Sequence, residues 1–106
     1  MYARNVSLRL RPNSSAAFTK QIENETIPML RKQKGFEGEL TFLASGGTDA
    51  VAISFWNNKE SADAYAKNGY PEVLNTLNKF VEGTPKVQTY EVANSTLHTI
   101  AATVTA

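Results

Sequence analysis

Phe42–Trp56 reads FLASGGTDAVAISFW, and its three parts decide the fold. Ser45-Gly46-Gly47-Thr48 is a hairpin turn, because paired glycines reach positive φ without steric cost. Glycine clusters also cradle phosphates, but no G-x-x-x-x-G-K-[ST] pattern and no helix start follow, so the turn reading stands. After the turn the chain alternates: Val51, Ile53 and Phe55 point to one face of a strand over Ala50–Trp56, and Ala52, Ser54 and Trp56 to the other. Before it, Phe36, Leu40 and Phe42 alternate along a preceding strand.

Outward from this hairpin, each arm joins a helix and a further strand. On the N-terminal side, Gly35 ends a helix whose apolar face carries Phe18, Ile22, Met29 and Leu30, with Arg31, Lys32 and Lys34 at its negative end. Asn13 or Ser14 caps its start, and Pro28 inside it removes a donor and predicts a kink. Pro12 separates it from a first strand, in which Tyr2, Val6, Leu8 and Leu10 point one way and Ala3, Asn5, Ser7, Arg9 and Arg11 the other. On the C-terminal side, Asn57 or Asn58 caps a helix to about Lys67. Asn68-Gly69 interrupts it, and Pro71 suits the first turn of a renewed helix. Val73, Leu74, Leu77, Phe80 and Val81 form its stripe, Gly83 and Pro85 end it, and a last strand runs from about Lys86 to Ala93. The chain is thus strand-helix-strand twice, over about Tyr2–Ser45 and Asp49–Ala93. That doubling predicts one α+β sheet with both helices on one face.

At 106 residues the chain holds one domain, burying about two thirds of its unfolded surface. Eleven Lys and Arg against ten Asp and Glu create no strong field for nucleic acid or anionic lipid. The absence of cysteine removes disulfides, thiolate nucleophiles and thiolate metal sites, and one His with two Asp does not supply a His-rich metal site. No G-x-S-x-G elbow surrounds a serine. No secretory signal pattern or membrane-length apolar run is present, so the expectation is a soluble cytoplasmic protein without membrane partners. The tail from Val92 to Ala106 carries no full charge. Its Thr96–Thr103 stretch is expected to pair with a sheet edge, such as that of a second subunit, since Leu97 and Ile100 would otherwise be idle.

If the pleat holds, the face rich in Val, Leu, Ile and Phe lies under the helices. Asn5, Ser7, Arg9, Thr41, Leu43, Ala52, Ser54 and Trp56 share the other. That second set is too apolar for plain solvent surface, and two such sheets facing each other would close a barrel, which predicts a homodimer. A monomer with a semi-polar open sheet is the alternative.

Pro28-Met29-Leu30-Arg31-Lys32 followed by Gly35-Phe36-Glu37-Gly38, and then Ser54-Phe55-Trp56-Asn57-Asn58-Lys59-Glu60-Ser61-Ala62, resemble the antibiotic biosynthesis monooxygenase family over roughly Tyr2–Ala93. The resemblance implies a ferredoxin-like βαββαβ domain over residues 1–94, paired into a dimeric α+β barrel, with residues 95–106 as a tail. It implies a pocket between helices and sheet in which a small aromatic or quinone-like molecule gives its electrons to dioxygen without any cofactor. Asn5, Trp56 and Tyr65 are the catalytic candidates, and Arg9, Tyr70 and Phe80 the substrate-binding ones. Each has a structural reading beside it: Trp56 as packing or dimer contact, Tyr65 and Tyr70 as covers for a helix break, Arg9 as an interface or surface residue. Haem-degrading relatives use a first-strand Asn, which Asn5 matches, and a Trp and a His whose positions fall here on Tyr65 and Asn75. The sole histidine is His98, so haem is not expected.

Two other functions compete. A non-catalytic dimeric module of the same fold would bind a small hydrophobic molecule or simply assemble. RNA-recognition domains share the element order, but Lys34-Gly35-Phe36 sits on strand two and continues into Glu37-Gly38-Glu39, whose carboxylates repel phosphate.

Overall fold

Four antiparallel strands form one sheet, in which the second strand of the chain lies at one edge, followed by the third, the first and the fourth. The computed structural model describes residues 1–97. Its strands are β1 (Tyr2–Leu10), β2 (Phe36–Leu43), β3 (Asp49–Trp56) and β4 (Val81–Glu91). Between β1 and β2 come α1 (Ser15–Gln21), a π-turn (Ile22–Thr26) and α2 (Ile27–Arg31). Between β3 and β4 come α3 (Lys59–Asn68), α4 (Tyr70–Leu77) and a short 3-10 turn (Asn78–Phe80). This is the α+β ferredoxin-like arrangement, two strand-helix-strand halves interleaved so that β1 and β3 lie at the centre.

The local signals act where the sequence puts them. Gly47 takes φ +74° in the hairpin, and Ala44 N donates to the Asp49 carbonyl across it. Asn58 caps α3 by accepting a 2.8 Å bond from Ser61 N, and Pro71 sits in the first turn of α4 after the break at Gly69. Three elements differ from expectation. Ser14 stands at the N-terminus of α1 without a side-chain capping bond, and Asn13 before it takes φ +62°. Pro28 does not simply kink its helix; the chain before it widens into the π-turn, where Ile27 N reaches the Ile22 carbonyl five residues back. Val81 leaves the helical stripe and opens β4, five residues before the expected start, because Gly83 at φ +70° and a register shift against Ser7–Arg9 let the strand continue past Pro85.

The main correction concerns the faces. Directly opposed residues of antiparallel neighbours share a face, and the register pairs Tyr2 with Trp56, Arg4 with Ser54, Val6 with Ala52 and Leu8 with Ala50. Ala52, Ser54 and Trp56 therefore lie under the helices with Tyr2, Val6 and Leu8, not beside Asn5 and Arg9. In β2 a register shift between Phe36 and Gly38 inserts one extra residue. Phe36 thus faces the helices against Trp56, while Leu40 and Phe42 turn outward and Glu39 and Thr41 turn in.

One core fills the space under the helices, built on Trp56, Phe18 and Leu10, each 1 % exposed or less, with Val6, Leu8, Leu30, Tyr65 and Leu77 around them. The open face carries a smaller cluster, Ala3 and Phe55 with Leu40, Ile53 and Val92, and beside it Phe42 and Tyr90 stand half exposed. No described helix is long and apolar enough to cross a membrane. Ser95–Leu97 forms no strand. His98 and the rest of the expected pairing segment, to Thr103, lie outside the described residues.

Candidate functional site

A cavity lies between the sheet and the helices, floored by β1, β2 and β3 and roofed by the π-turn, α2, α3 and α4. Most of its wall is apolar, including Val6, Leu8, Ile22, Leu30, Val73 and Leu77. Its polar groups are Arg4, Thr26, Glu39, Ser54, Tyr65 and Tyr70. About 40 Å³ is open to the centres of water-sized molecules, room for about three waters and less than a benzene ring needs.

Three of these polar residues form one row across the floor. The register sets Glu39 opposite Ser54 and Ser54 opposite Arg4, so the row spans β2, β3 and β1 at about 4.8 Å per strand. Arg4 is 5 % exposed. Its guanidinium lies 4.1 Å from the centroid of the Tyr70 ring and 5.5 Å from that of Tyr65. It belongs to no ion pair among the described residues, where Arg9–Asp49 and Lys59–Asp63 are the pairs found. Nor does it donate a side-chain hydrogen bond to any described residue. Burial pulls its pKa below the ordinary arginine value, with Tyr65, Tyr70 and Asp63 acting the other way. An arginine cannot discharge itself by losing a proton at accessible pH, so this charge stays, with two rings for company.

At the other end of the row, burial raises the Glu39 carboxyl above the ordinary carboxylate range, offset in part by the 2.6 Å bond it accepts from Thr41 Oγ1. In the middle, Ser54 Oγ accepts a 2.9 Å bond from the Trp56 indole N–H, which leaves the hydroxyl proton of Ser54 free to be given elsewhere. The roof adds Thr26, buried in the π-turn with no partner for its Oγ1. An unsatisfied hydroxyl costs about 1–3 kcal/mol, and its place on the cavity wall offers a reason for keeping it.

Aromatic rings hold the row in place. Phe36 meets Trp56 edge-on at 5.6 Å, Trp56 stacks on Tyr65 at 4.8 Å, and Tyr65 meets Tyr70 edge-on at 6.2 Å. Gly69 makes room for this chain, since a Cβ there would stand 2.8 Å from Tyr65 Cδ1. Burial raises the Tyr65 and Tyr70 phenols above their ordinary pKa, against the pull of Arg4, so both remain donors rather than bases.

Of the residues singled out from the sequence, Tyr65 and Tyr70 reach the cavity together. Trp56 lies behind Tyr65, fully buried, with its N–H engaged by Ser54; it touches the site through those two residues and does not line it. Phe80 packs against the core outside the cavity. Asn5 and Arg9 are on the opposite face of the sheet, where Arg9 pairs with Asp49 at 3.9 Å in solvent and Asn5 Oδ1 is buried without a partner. The expected convergence of Asn5, Trp56 and Tyr65 on one cavity is therefore not found, because odd-numbered β1 positions face away from the helices. Arg4 and Glu39 were missed. Arg4 is in phase with Tyr2 and Val6, so strand parity alone places it inward. Glu39 was hidden by the extra residue in β2. Among the described residues no three His, Cys, Asp or Glu side chains gather as a metal site.

No protein-family model matches the chain, and no curated protein matches it. Solved structures do. The monooxygenase of ActVA-Orf6 from Streptomyces coelicolor, solved with the ligand nanaomycin D, superposes with a TM-score of 0.75 at 16 % identity, covering 91 % of this chain and 90 % of that one. A mutant of SnoaB, a cofactor-independent oxygenase from Streptomyces nogalater, gives 0.71 at 15 % identity over 90 % and 95 %. A further antibiotic biosynthesis monooxygenase gives 0.68 at 13 % identity over 88 % and 99 %. The fold of this chain is the fold of those proteins.

Proposed function

We propose that this chain is a cofactor-independent monooxygenase of a small aromatic or quinone-like compound, held in the cavity between sheet and helices. The observation that carries the reading is the Glu39–Ser54–Arg4 row: a carboxyl with a raised pKa, a hydroxyl free to donate and an unpaired cation, side by side in an apolar enclosure. The shared fold with oxygenases of this type supports it.

The chemistry suited to such a row starts with proton removal. Glu39 takes a proton from an activated ring carbon or hydroxyl, and the carbanion or enolate left behind is held by the Ser54 hydroxyl in the field of Arg4. That anion passes one electron to dioxygen. The resulting radical and superoxide join in a C–O bond, and the peroxide receives the proton from Glu39. Loss of a second C–H proton to Glu39 then expels hydroxide as the O–O bond breaks. The proton and hydroxide leave as water, so R₂CH₂ and O₂ become R₂C=O and H₂O. The apolar walls keep solvent from quenching the anion. The small resting volume means a ring enters as Tyr70, half buried at the α3–α4 break, or the π-turn moves aside.

Oxygen uptake over a panel of anthrones and hydroquinones tests this. Uptake is expected with at least one, falling by about 10²–10⁴-fold in Glu39→Gln. Binding without uptake in any case would leave a small-molecule-binding module.

A homodimer belongs to the same proposal. The open face, with Leu40, Phe42, Ile53, Phe55 and Tyr90, is more apolar than the sequence suggested, and a second copy would cover it and offer Asn5 a partner.

A further inference from the structure

We infer that the cavity selects a ligand carrying a carboxylate, and that Arg4 is the residue that reads it. This rests on the cavity being the substrate site, and narrows which aromatic compounds it takes. Arg4 has a ring against it at 4.1 Å and yet no carboxylate, carbonyl or hydroxyl receives any of its five N–H groups among the described residues. A cation–π contact places the cation by the ring and engages none of its N–H groups in a hydrogen bond to an oxygen. The hydrogen-bonding edge of the same group, in a residue 5 % exposed, is left for whatever occupies the cavity that Arg4 lines.

The protein's own anions do not fill that role. Glu39 sits two strands away along the row, at roughly 10 Å between backbones, and is bonded to Thr41. Asp63 is bonded to Lys59 at 2.8 Å. An anion formed only during turnover would leave Arg4 uncompensated while the substrate binds, whereas a carboxylate compensates it on arrival. A planar carboxylate matches the guanidinium fork with two parallel bonds. The ring bearing it would lie toward Tyr65 and Tyr70 and the apolar wall, with its oxidisable position directed along the row toward Ser54 and Glu39. The small resting volume favours a compact ligand, a ring with its carboxylate, over a larger ring system.

The test uses the full chain and two probes of nearly equal shape: gentisate, a hydroquinone with one carboxylate, and its neutral amide, gentisamide. Titration calorimetry is expected to show gentisate binding about tenfold or more tightly than the amide. Arg4→Met should bring that ratio to about one, while Arg4→Lys, which keeps the charge but not the fork, retains part of it. Equal binding of the two probes, binding of neither, or a ratio unchanged in Arg4→Met overturns the inference. Should Arg4→Met fail to fold, competition on the unaltered protein decides: benzoate displaces bound gentisate and benzamide does not, and displacement by both or by neither refutes it. Oxygen uptake over the anthrone and hydroquinone panel separates this from the oxygenase reading. Preference for the carboxylate with no uptake from any compound of the panel upholds the Arg4 assignment and sinks the oxygenase, and uptake from the panel with equal binding of the two probes sinks the Arg4 assignment alone.

Discussion

Each face of this sheet carries groups that would ordinarily lie on the other. Under the helices, where a core would ordinarily be plain hydrocarbon, lie an unpaired guanidinium, a half-buried carboxyl and an orphaned hydroxyl. On the open side, where solvent would ordinarily meet polar side chains, Phe42 and Tyr90 stand half exposed and Ile53 is only partly covered. Polar groups retained at a cost in stability point to chemistry, and apolar groups left uncovered point to assembly. The helix-covered face is the candidate for a reaction, and the uncovered face the candidate for a partner.

Trp56 holds the covered face together. Trp56→Ala removes a fully buried indole that packs on Phe36 and Tyr65 and holds Ser54. It is expected to destabilise by about 3–5 kcal/mol in chemical denaturation. On the other face, Phe42→Glu places a charge where a second copy would dock. Sedimentation equilibrium should show self-association weakened by about thirtyfold or more, the loss of about 2 kcal/mol typical of a central apolar contact. Single subunits of the unaltered chain at micromolar concentration would remove the assembly half of the contrast.

Arg4→Met tests the covered face from within. If the covered face keeps this charge for a ligand, then without ligand the charge is a burden. The variant should be more stable by about 1 kcal/mol, roughly 4 °C in Tm, after the lost ring contacts are subtracted. A loss of stability instead would mean that the rings alone compensate the charge.

The smallest effect is on pH. Because the folded-state pKa of Glu39 is raised, the folded chain holds the proton more tightly than the unfolded chain. Its contribution to stability is therefore present at low pH and is lost as pH rises from the ordinary carboxyl value through the folded one. Glu39→Gln should flatten that slope in melting curves between mildly acidic and neutral pH. An unchanged slope would place the raised affinity elsewhere.

Much of this architecture was legible because it is local. Alternation, the Gly46-Gly47 turn, the Asn58 cap and the Asn68-Gly69 break each act within a few residues, and together they give element order and fold class. Which strand faces meet is not local. Parity along β3 correctly grouped Val51 with Phe55 and Ala52 with Trp56, but which of those sets joins Val6 depends on pairing with β1, fifty residues away. Phe36, Leu40 and Phe42 read as one face until the extra residue in β2 divides them. The site suffered most. Asn5 matches a first-strand Asn of the family it resembles, while Arg4 beside it matches no motif and is the one charge on the apolar stripe of β1. Trp56, a catalytic candidate from the sequence, does not line the cavity; its indole packs on Tyr65 and donates to Ser54.

The irregularity at Glu37 works like a frame of sidedness for everything downstream of it. Because this residue is the surplus one, cutting it out would leave Phe36 on Trp56 and Glu39 beside Ser54. Cutting out a residue just after Glu39 would instead turn the rest of the strand over, sending Thr41 away from the carboxyl it donates to and bringing Phe42 beneath the helices. One codon, depending on which, is either silent or exchanges the wet and greasy sides of the strand.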